Sequence, residues 1–281
     1  MQSVVIVRRL GLGAMMLLVG LWAAACSGSQ GVGGGGAFAP RTAGTLTVAT
    51  AQIPDPGFWA GTPARPTGGF EYGLARALAS RFGLSKLKVI IVPFARLIAG
   101  DLGGADLALS DITVTSERAE HVSFSSSYLA APPSILVRPG TEVADVHAAQ
   151  RLSWAVQTGT TLQSALEEAI RPATTPLILH HQREALHALR ARRVQAVMLD
   201  LPVALAYARE SPNTYAVAAQ LPSEDVLAAA LPKGSENVEA VDSAMRAFAA
   251  DGTIERLGRK WLATDLEEGQ VEHVPTLRTQ E

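Results

Sequence analysis

The stretch "LSDITVTSERAEHVSFS", residues 109–125, gathers side chains suited to holding a small polar molecule. Asp111, Thr113, Thr115, Ser116, Glu117 and Arg118 follow directly on the apolar alternation of "ADLALS". A strand ending there brings Ser110 and Thr113 to the carboxyl edge of a sheet, where ligands of open α/β folds sit. "TSERAEH" predicts a short helical turn capped by Thr115. The free N–H groups of that turn and the Arg118 guanidinium together suit a carboxylate, because arginine offers a two-pronged donor and never loses its charge. A capped surface turn with a solvated arginine accounts for the same spacing.

Two more features belong with this one. In "QTGTTLQSALEE", Gly159 precedes Thr160 and Thr161 at a helix start, and Thr160 with Gln163 has capping-box spacing. Ordinary helix punctuation produces the same pattern. Asp200 closes the apolar strand "VQAVMLD" just before a helix begun by Pro202, a place suited to holding an ammonium. An aspartate that merely starts that helix is the alternative. A carboxylate clamp in each half and an acid for an amine would complement a free α-amino acid.

The elements that must position these residues alternate in type. "GTLTVATAQI" reads as a strand, "IPDPGFWAGTPARPTGG" as a loop, and "FEYGLARALASRFG" as a helix on Phe70, Leu74, Leu78 and Phe82. "KLKVIIVPF" reads as a buried strand, and "VSFSSSYLAAPPSILVRPG" as two strands broken at Pro132 and Pro133. "RLSWAVQ", "PLILHH" and "VQAVMLD" alternate with helices in the second half, and "VLAAALPKG" leads into two closing helices. The class is α/β, with two blocks of mainly parallel sheet covered on both faces, near 44–130 and 135–222. A strand and two helices are left over at the end; returning to complete the first block, they would make a two-lobed, doubly hinged body, and the charged tail after Asp265 reads as loose.

Composition narrows the function classes. The chain has 281 residues, formal net charge −2, 5% aromatic residues and one cysteine. A near-neutral balance argues against nucleic acid as a partner. One cysteine cannot form a disulfide within the chain. The six histidines show no metal spacing, so neither a metal nor a cofactor is expected. Arg8 and Arg9 precede the apolar run "LGLGAMMLLVGLWAAA", which ends at Cys26 as a secretory leader would. "WAAAC" resembles a bacterial lipobox, with Cys26 as the lipidated first residue of the mature chain, although Ala23 stands where a large aliphatic residue is usual; an ordinary secretory signal with an incidental cysteine is the alternative. Residues 27–43, rich in glycine, read as a flexible tether between that anchor and the folded part.

From Gly44 to Ala263 the chain resembles the extracellular solute-binding proteins of family 3, the receptors of bacterial polar amino-acid ABC importers. "ADLALSDITVTSERAEHVSFSSSYL" and "LAAALPKGSENVEAVDSAMRAFAADGTIERLGRKWL" carry the resemblance, supported by "GTLTVAT", "GGFEYGLARALASRFG", "VQTGTTLQ" and "VQAVMLDLPVA". It implies the two-lobed type II periplasmic-binding-protein fold. Lobe 1 would be 44–130 plus 228–265 and lobe 2 131–227, with hinges near Ala130–Ser134 and Leu221–Leu227. It further implies that Arg118 meets the ligand α-carboxylate, Thr113 lies beside it, and Thr161 meets the carboxylate from the second lobe. Asp200 would hold the α-ammonium and Phe94 pack on the ligand side chain.

Two departures stand out. Asp111 occupies the place of a family serine or glycine; it either faces the ligand, favouring a cationic or doubly donating one, or caps the following turn. The loop after the first strand does not follow the family pattern, and Phe58 or Trp59 is left to supply its aromatic contact. The resemblance implies an extracytoplasmic, lipid-anchored monomer that hands its ligand to a membrane permease and performs no chemistry. The alternatives are a cyclohexadienyl dehydratase-like enzyme on the same fold and a sensory module.

Overall fold

The computed structural model describes residues 37–262 and 274–277. Cys26, the apolar run before it and the tether as far as residue 36 lie outside the described residues. Among the described residues no helix is long and apolar enough to cross a membrane.

Five strands, β1 (Thr45–Thr50), β4 (Lys86–Ile91), β5 (Leu107–Ala108), β6 (Val122–Ala130) and β12 (Val226–Pro232), form one sheet in the order β4-β1-β5-β12-β6. Five more, β7 (Pro133–Val137), β8 (Trp154–Gln157), β9 (Leu177–Leu179), β10 (Ala196–Asp200) and β11 (Ala216–Gln220), form a second sheet in the order β11-β7-β10-β8-β9. A small hairpin, β2 (Ala60–Thr62) with β3 (Arg65–Gly68), replaces part of the loop expected after β1.

The sheets are mixed, which corrects the expectation of mainly parallel pairing. β1 runs parallel to β4 and β5, and β8 parallel to β9 and β10. β12 is antiparallel to β5 and β6, and β7 to β10 and β11. The reason lies in the connections. β7 and β12 each enter their sheet straight from a strand of the other one, without the crossover helix that makes neighbours parallel. The two crossings are tied together: Ala131 N–H donates to Asp225 O at 2.8 Å, and Leu221 N–H to Pro133 O at 2.8 Å.

Helices cover both sheets. They are α1 (Phe70–Arg81), α2 (Phe94–Ile98), α3 (Ser116–His121), α4 (Val146–Gln150), α5 (Thr161–Ala165), α6 (Gln182–Arg190), α7 (Leu201–Glu210), α8 (Val238–Ala250) and α9 (Thr253–Trp261). A π-helical turn, Leu166–Ile170, extends α5. The period-four stripe of α1 buries Phe70, Leu74 and Leu78 at 0% exposure against β1. Gly69 is required just before it: φ is 117°, and a Cβ there would lie 2.0 Å from Phe58 O. α8 and α9 return to pack on β6 and α1, so the segment after β12 completes the first sheet's layer.

Three expectations are corrected. β4 lies at the sheet edge and is half exposed, with Ile91 at 42%, because only one neighbour covers it. Residues 38–41 dock rather than float: Phe38 stacks on Phe82 at 4.3 Å, Ala39 exchanges two hydrogen bonds with the Asn237 amide, and Arg41 N–H donates to Asp106. Residues 274–277 of the tail also dock. Thr276 bridges to Gln220 on the outer edge of β11, Leu277 N–H donates to Gln220 O, and Leu277 is buried in the second lobe's core. An open strand edge offers unpaired backbone groups to any passing segment, and the tail supplies partners for them.

Candidate functional site

The strand ends converge as the sequence implies. β5, β10 and the loop after β1 all deliver acids to one cavity between the lobes, lined among others by Asp55, Phe94, Ser110, Asp111, Thr160 and Asp200. Asp111 is held by its backbone. Its N–H donates to Glu71 Oε1 at 2.8 Å, and φ is 56°, a left-handed conformation that aspartate tolerates. Asp111 lines the cavity and does not cap the following turn; Thr115 does that, accepting from Arg118 N–H at 3.1 Å.

Glu71 is the buried support. It is 0% exposed on the first turn of α1, and besides Asp111 N–H it accepts the Trp59 indole N–H at 2.7 Å and the Tyr128 hydroxyl at 2.6 Å. Those donors oppose, without cancelling, the upward push of burial on its carboxyl. Trp59 is thereby placed in the core at 1% exposure, packed edge-on against Tyr72, and does not line this cavity. The aromatic role suggested for it in the sequence gives way to this hydrogen bond.

The cavity acids are electrostatically strained. Asp200 is 5% exposed, and its Oδ1 is shielded from solvent without a hydrogen-bond partner, as is Asp111 Oδ1. Burial first, then the Asp225 charge, raises Asp200 from 3.8 to about 8, against the pull of Arg118. Asp111 is pushed well above the carboxylate range by burial and then by Asp200, Glu71 and Asp55. Asp55, 7% exposed, is raised to about 7 by burial and Glu71, even though Gln52 Nε2 and Gln182 Nε2 donate to its Oδ1 at 3.0 and 3.4 Å.

Arg118 sits beside this cavity, 6% exposed. One terminal nitrogen donates to Thr113 O at 2.8 Å and the other to Gly159 O at 3.3 Å, while the guanidinium lies 5.4 Å from the Phe94 ring centroid. Thr161 Oγ1 donates to Thr113 Oγ1 at 3.4 Å. The lobes thus touch directly at the end where a carboxylate clamp was expected. Burial lowers the guanidinium from its usual range, opposed by Asp200, yet it stays a cation. Thr160 caps α5, accepting from Gln163 N–H at 3.3 Å; the Gln163 amide oxygen reaches Gly159 N–H, one residue short of a full capping box. Ser110 Oγ accepts from Ala51 N–H at 2.8 Å, which pins the start of the loop carrying Asp55.

The sequence-expected residues therefore separate into three sets. Ser110, Asp111, Asp200, Phe94 and Thr160 line the cavity, Arg118, Thr113 and Thr161 form the adjoining lobe contact, and Trp59 is core. Sequence reasoning missed Asp55, Glu71, Gln52 and Gln182. The signal for Asp55 was its loop, already marked as departing from the family pattern; Glu71 gave none. Among the described residues no group of three His, Cys, Asp or Glu side chains is placed to hold a metal ion.

Comparison with known proteins agrees with this architecture. The L-cystine-binding protein TcyJ of Escherichia coli strain K12 is 26% identical over 227 residues, covering 79% of this chain and 84% of TcyJ. An amino acid ABC transporter substrate-binding protein from Streptococcus pneumoniae, bound to L-arginine, superposes with TM-score 0.69 at 29% identity, over 78% of this chain and 94% of that one. The ancestral amino acid-binding protein AncCDT-1, a precursor of cyclohexadienyl dehydratase, superposes with TM-score 0.67 at 28% identity, over 78% and 95% of the two chains. The family of bacterial extracellular solute-binding proteins, family 3, matches residues 46–264. With that match spanning most of the chain and two lobes meeting over a shared cavity, the protein belongs to the bacterial extracellular solute-binding proteins of family 3.

Proposed function

We propose that this chain is the substrate-binding receptor of an ABC importer, taking a free amino acid or similar small zwitterion between its lobes and handing it to a membrane permease. The lobes we assign are 44–130 with 228–265 and 131–227. The observation that carries the reading is that Asp111 from one lobe and Asp200 from the other line one cavity, each with a shielded carboxylate oxygen, Oδ1, that has no hydrogen-bond partner. A buried acceptor without a donor costs free energy that a ligand ammonium would recover. Arg118 stands next to them as the cation for an α-carboxylate, with Thr113 and Thr161 flanking it. Two of its five N–H donors are occupied by the carbonyls of Thr113 and Gly159. Phe94 and Thr160 complete the wall.

A ligand touching both lobes favours the closed arrangement, since only that arrangement offers both sets of contacts. The relatives' names support the same class of ligand: cystine for TcyJ and L-arginine for the streptococcal protein. Anchoring through a lipidated Cys26 would keep the receptor beside its permease, with the acyl chains holding it at the membrane surface as a monomer. Calorimetric titration of the full chain with the free amino acids tests the reading. One-to-one binding of at least one of them, weakened about tenfold or more in Arg118→Ala, is expected, from a charged hydrogen bond of about 1.5–3 kcal/mol. No binding by any amino acid would remove the reading, and catalysed turnover in the cell would favour the dehydratase alternative.

A further inference from the structure

The cavity gathers more acidic side chains than a simple zwitterion explains. Asp55, Asp111 and Asp200 line it, and none of its lining residues is a lysine or arginine. Arg118 lies alongside, and its charge acts on Asp200 and Asp111. A neutral amino acid brings one ammonium for three acids, so at least one of the three would be left without a cationic partner after it bound. A metal ion does not resolve this, because the described acids do not cluster with metal-ligand geometry. Asp200 supplies the independent sign of a ligand: it is 5% exposed, faces the cavity, and its Oδ1 has no partner.

Asp55 is set apart from the other two. It follows β1, in the loop where the sequence departs from the family pattern, and sits between two glutamine amides. Gln52 comes from the same loop and Gln182 from the start of α6 in the other lobe, so Asp55 too lies at the junction. A carboxylate flanked by primary amides offers several acceptor oxygens around one point, which suits an ammonium or guanidinium with several N–H donors. Asp111 and Asp200 mark the other group of acceptors, next to Arg118.

We propose that the ligand is an amino acid with a second cationic nitrogen at the end of its side chain, as in lysine, ornithine or arginine, and that Asp55 is the residue that selects it. The α-ammonium meets Asp200 and Asp111; the distal cation meets Asp55 and the oxygens of Gln52 and Gln182. This rests on the receptor reading above and narrows it.

The titration of these groups follows the same logic. Burial and neighbouring acids raise Asp55 to about 7 and Asp200 to about 8. Asp55 faces Glu71 on α1 and Glu210 and Tyr207 on α7; Asp200 faces Asp225 and Arg118; Asp111 faces both acids, Glu71 and Arg118; His181 lines the same cavity. A cationic guest favours the charged carboxylates and expels their protons, so its affinity rises as pH climbs through this window.

Isothermal titration of the full chain with lysine, ornithine, arginine, glutamine and cystine, at pH 6 and pH 8, tests the proposal. At least one basic amino acid should bind about tenfold or more tightly than glutamine and cystine, and more tightly at pH 8 than at pH 6. Asp55→Asn should weaken that basic ligand by about 10- to 100-fold while leaving glutamine within about threefold, as loss of one charged hydrogen bond implies. The wild-type preference and its pH dependence are read without the variant, so a misfolded variant does not shelter the idea. Tighter binding of glutamine or cystine would overturn the cationic assignment and leave the amino-acid receptor standing. Equal losses for every ligand in Asp55→Asn would make Asp55 a structural residue. Absence of binding by any amino acid would remove both readings together.

Discussion

Replacing Asp200 by asparagine should move stability and binding in opposite directions. Asp200 is 5% exposed at the end of β10, with one oxygen lacking any partner and its carboxyl raised from 3.8 to about 8. An acid whose folded value lies above its unfolded one favours the fold fully below the unfolded value and loses that advantage as pH rises through the folded one. The window runs from about pH 4 to about pH 8, and at 1.36 kcal/mol per unit the fold has lost about 4 kcal/mol by pH 7, because the buried group holds a proton that the unfolded chain releases. Asp200→Asn is nearly isosteric and removes that cost. With roughly 2–4 °C per kcal/mol for a chain of this size, the empty variant should melt several degrees above the wild type at pH 8, and the gap should shrink toward pH 4. Affinity for the amino-acid ligand should fall at least tenfold, because the ammonium loses a charged acceptor. Paired thermal melts across pH and one titration decide it. A variant that melts lower than wild type at pH 8, or that binds unchanged, would refute the assignment of Asp200 as a buried carboxylate kept for a ligand.

Other perturbations probe the supports. Glu71→Gln puts an amide N–H₂ in place of one carboxylate oxygen, so either the Trp59 indole N–H at Oε2 or the Tyr128 hydroxyl and Asp111 N–H at Oε1 lose their acceptor, and it should destabilise by about 1–3 kcal/mol, read by denaturant melts. An unchanged midpoint would mean the triple acceptor is dispensable. Leu277→Ala removes a side chain that is 4% exposed in the second lobe's core and should cost about 2–4 kcal/mol without changing ligand stoichiometry. A loss below about 0.5 kcal/mol would mean that the tail segment contributes nothing to packing.

What the sequence made legible was local. The turn of α3 could be read because Thr115 stands three residues before the N–H it accepts, and Asp200 because an acid closes an apolar strand. The period-four stripe of α1 and the Pro132–Pro133 break between β6 and β7 were likewise visible. The rest depends on distant partners. Asp55 acquires its setting from Gln182, 127 residues away, and Glu71 looks like an ordinary first-turn acid until Trp59 and Tyr128 close over it. Trp59 was drawn to the ligand by its chemistry, whereas its indole N–H had a nearer obligation. Strand direction followed the missing crossover helices, and tail docking followed the open edge of β11; neither is written in the residues of the segments concerned.

The measurement that tests the account most directly is mass spectrometry of whatever small molecule leaves the purified full chain on denaturation, followed by calorimetric return of that molecule to the emptied protein. The account requires an amino acid, recovered near one per chain and rebinding with a stoichiometry close to one. A solute with no amine at all, rebinding as tightly to Asp200→Asn as to the wild type, would contradict it.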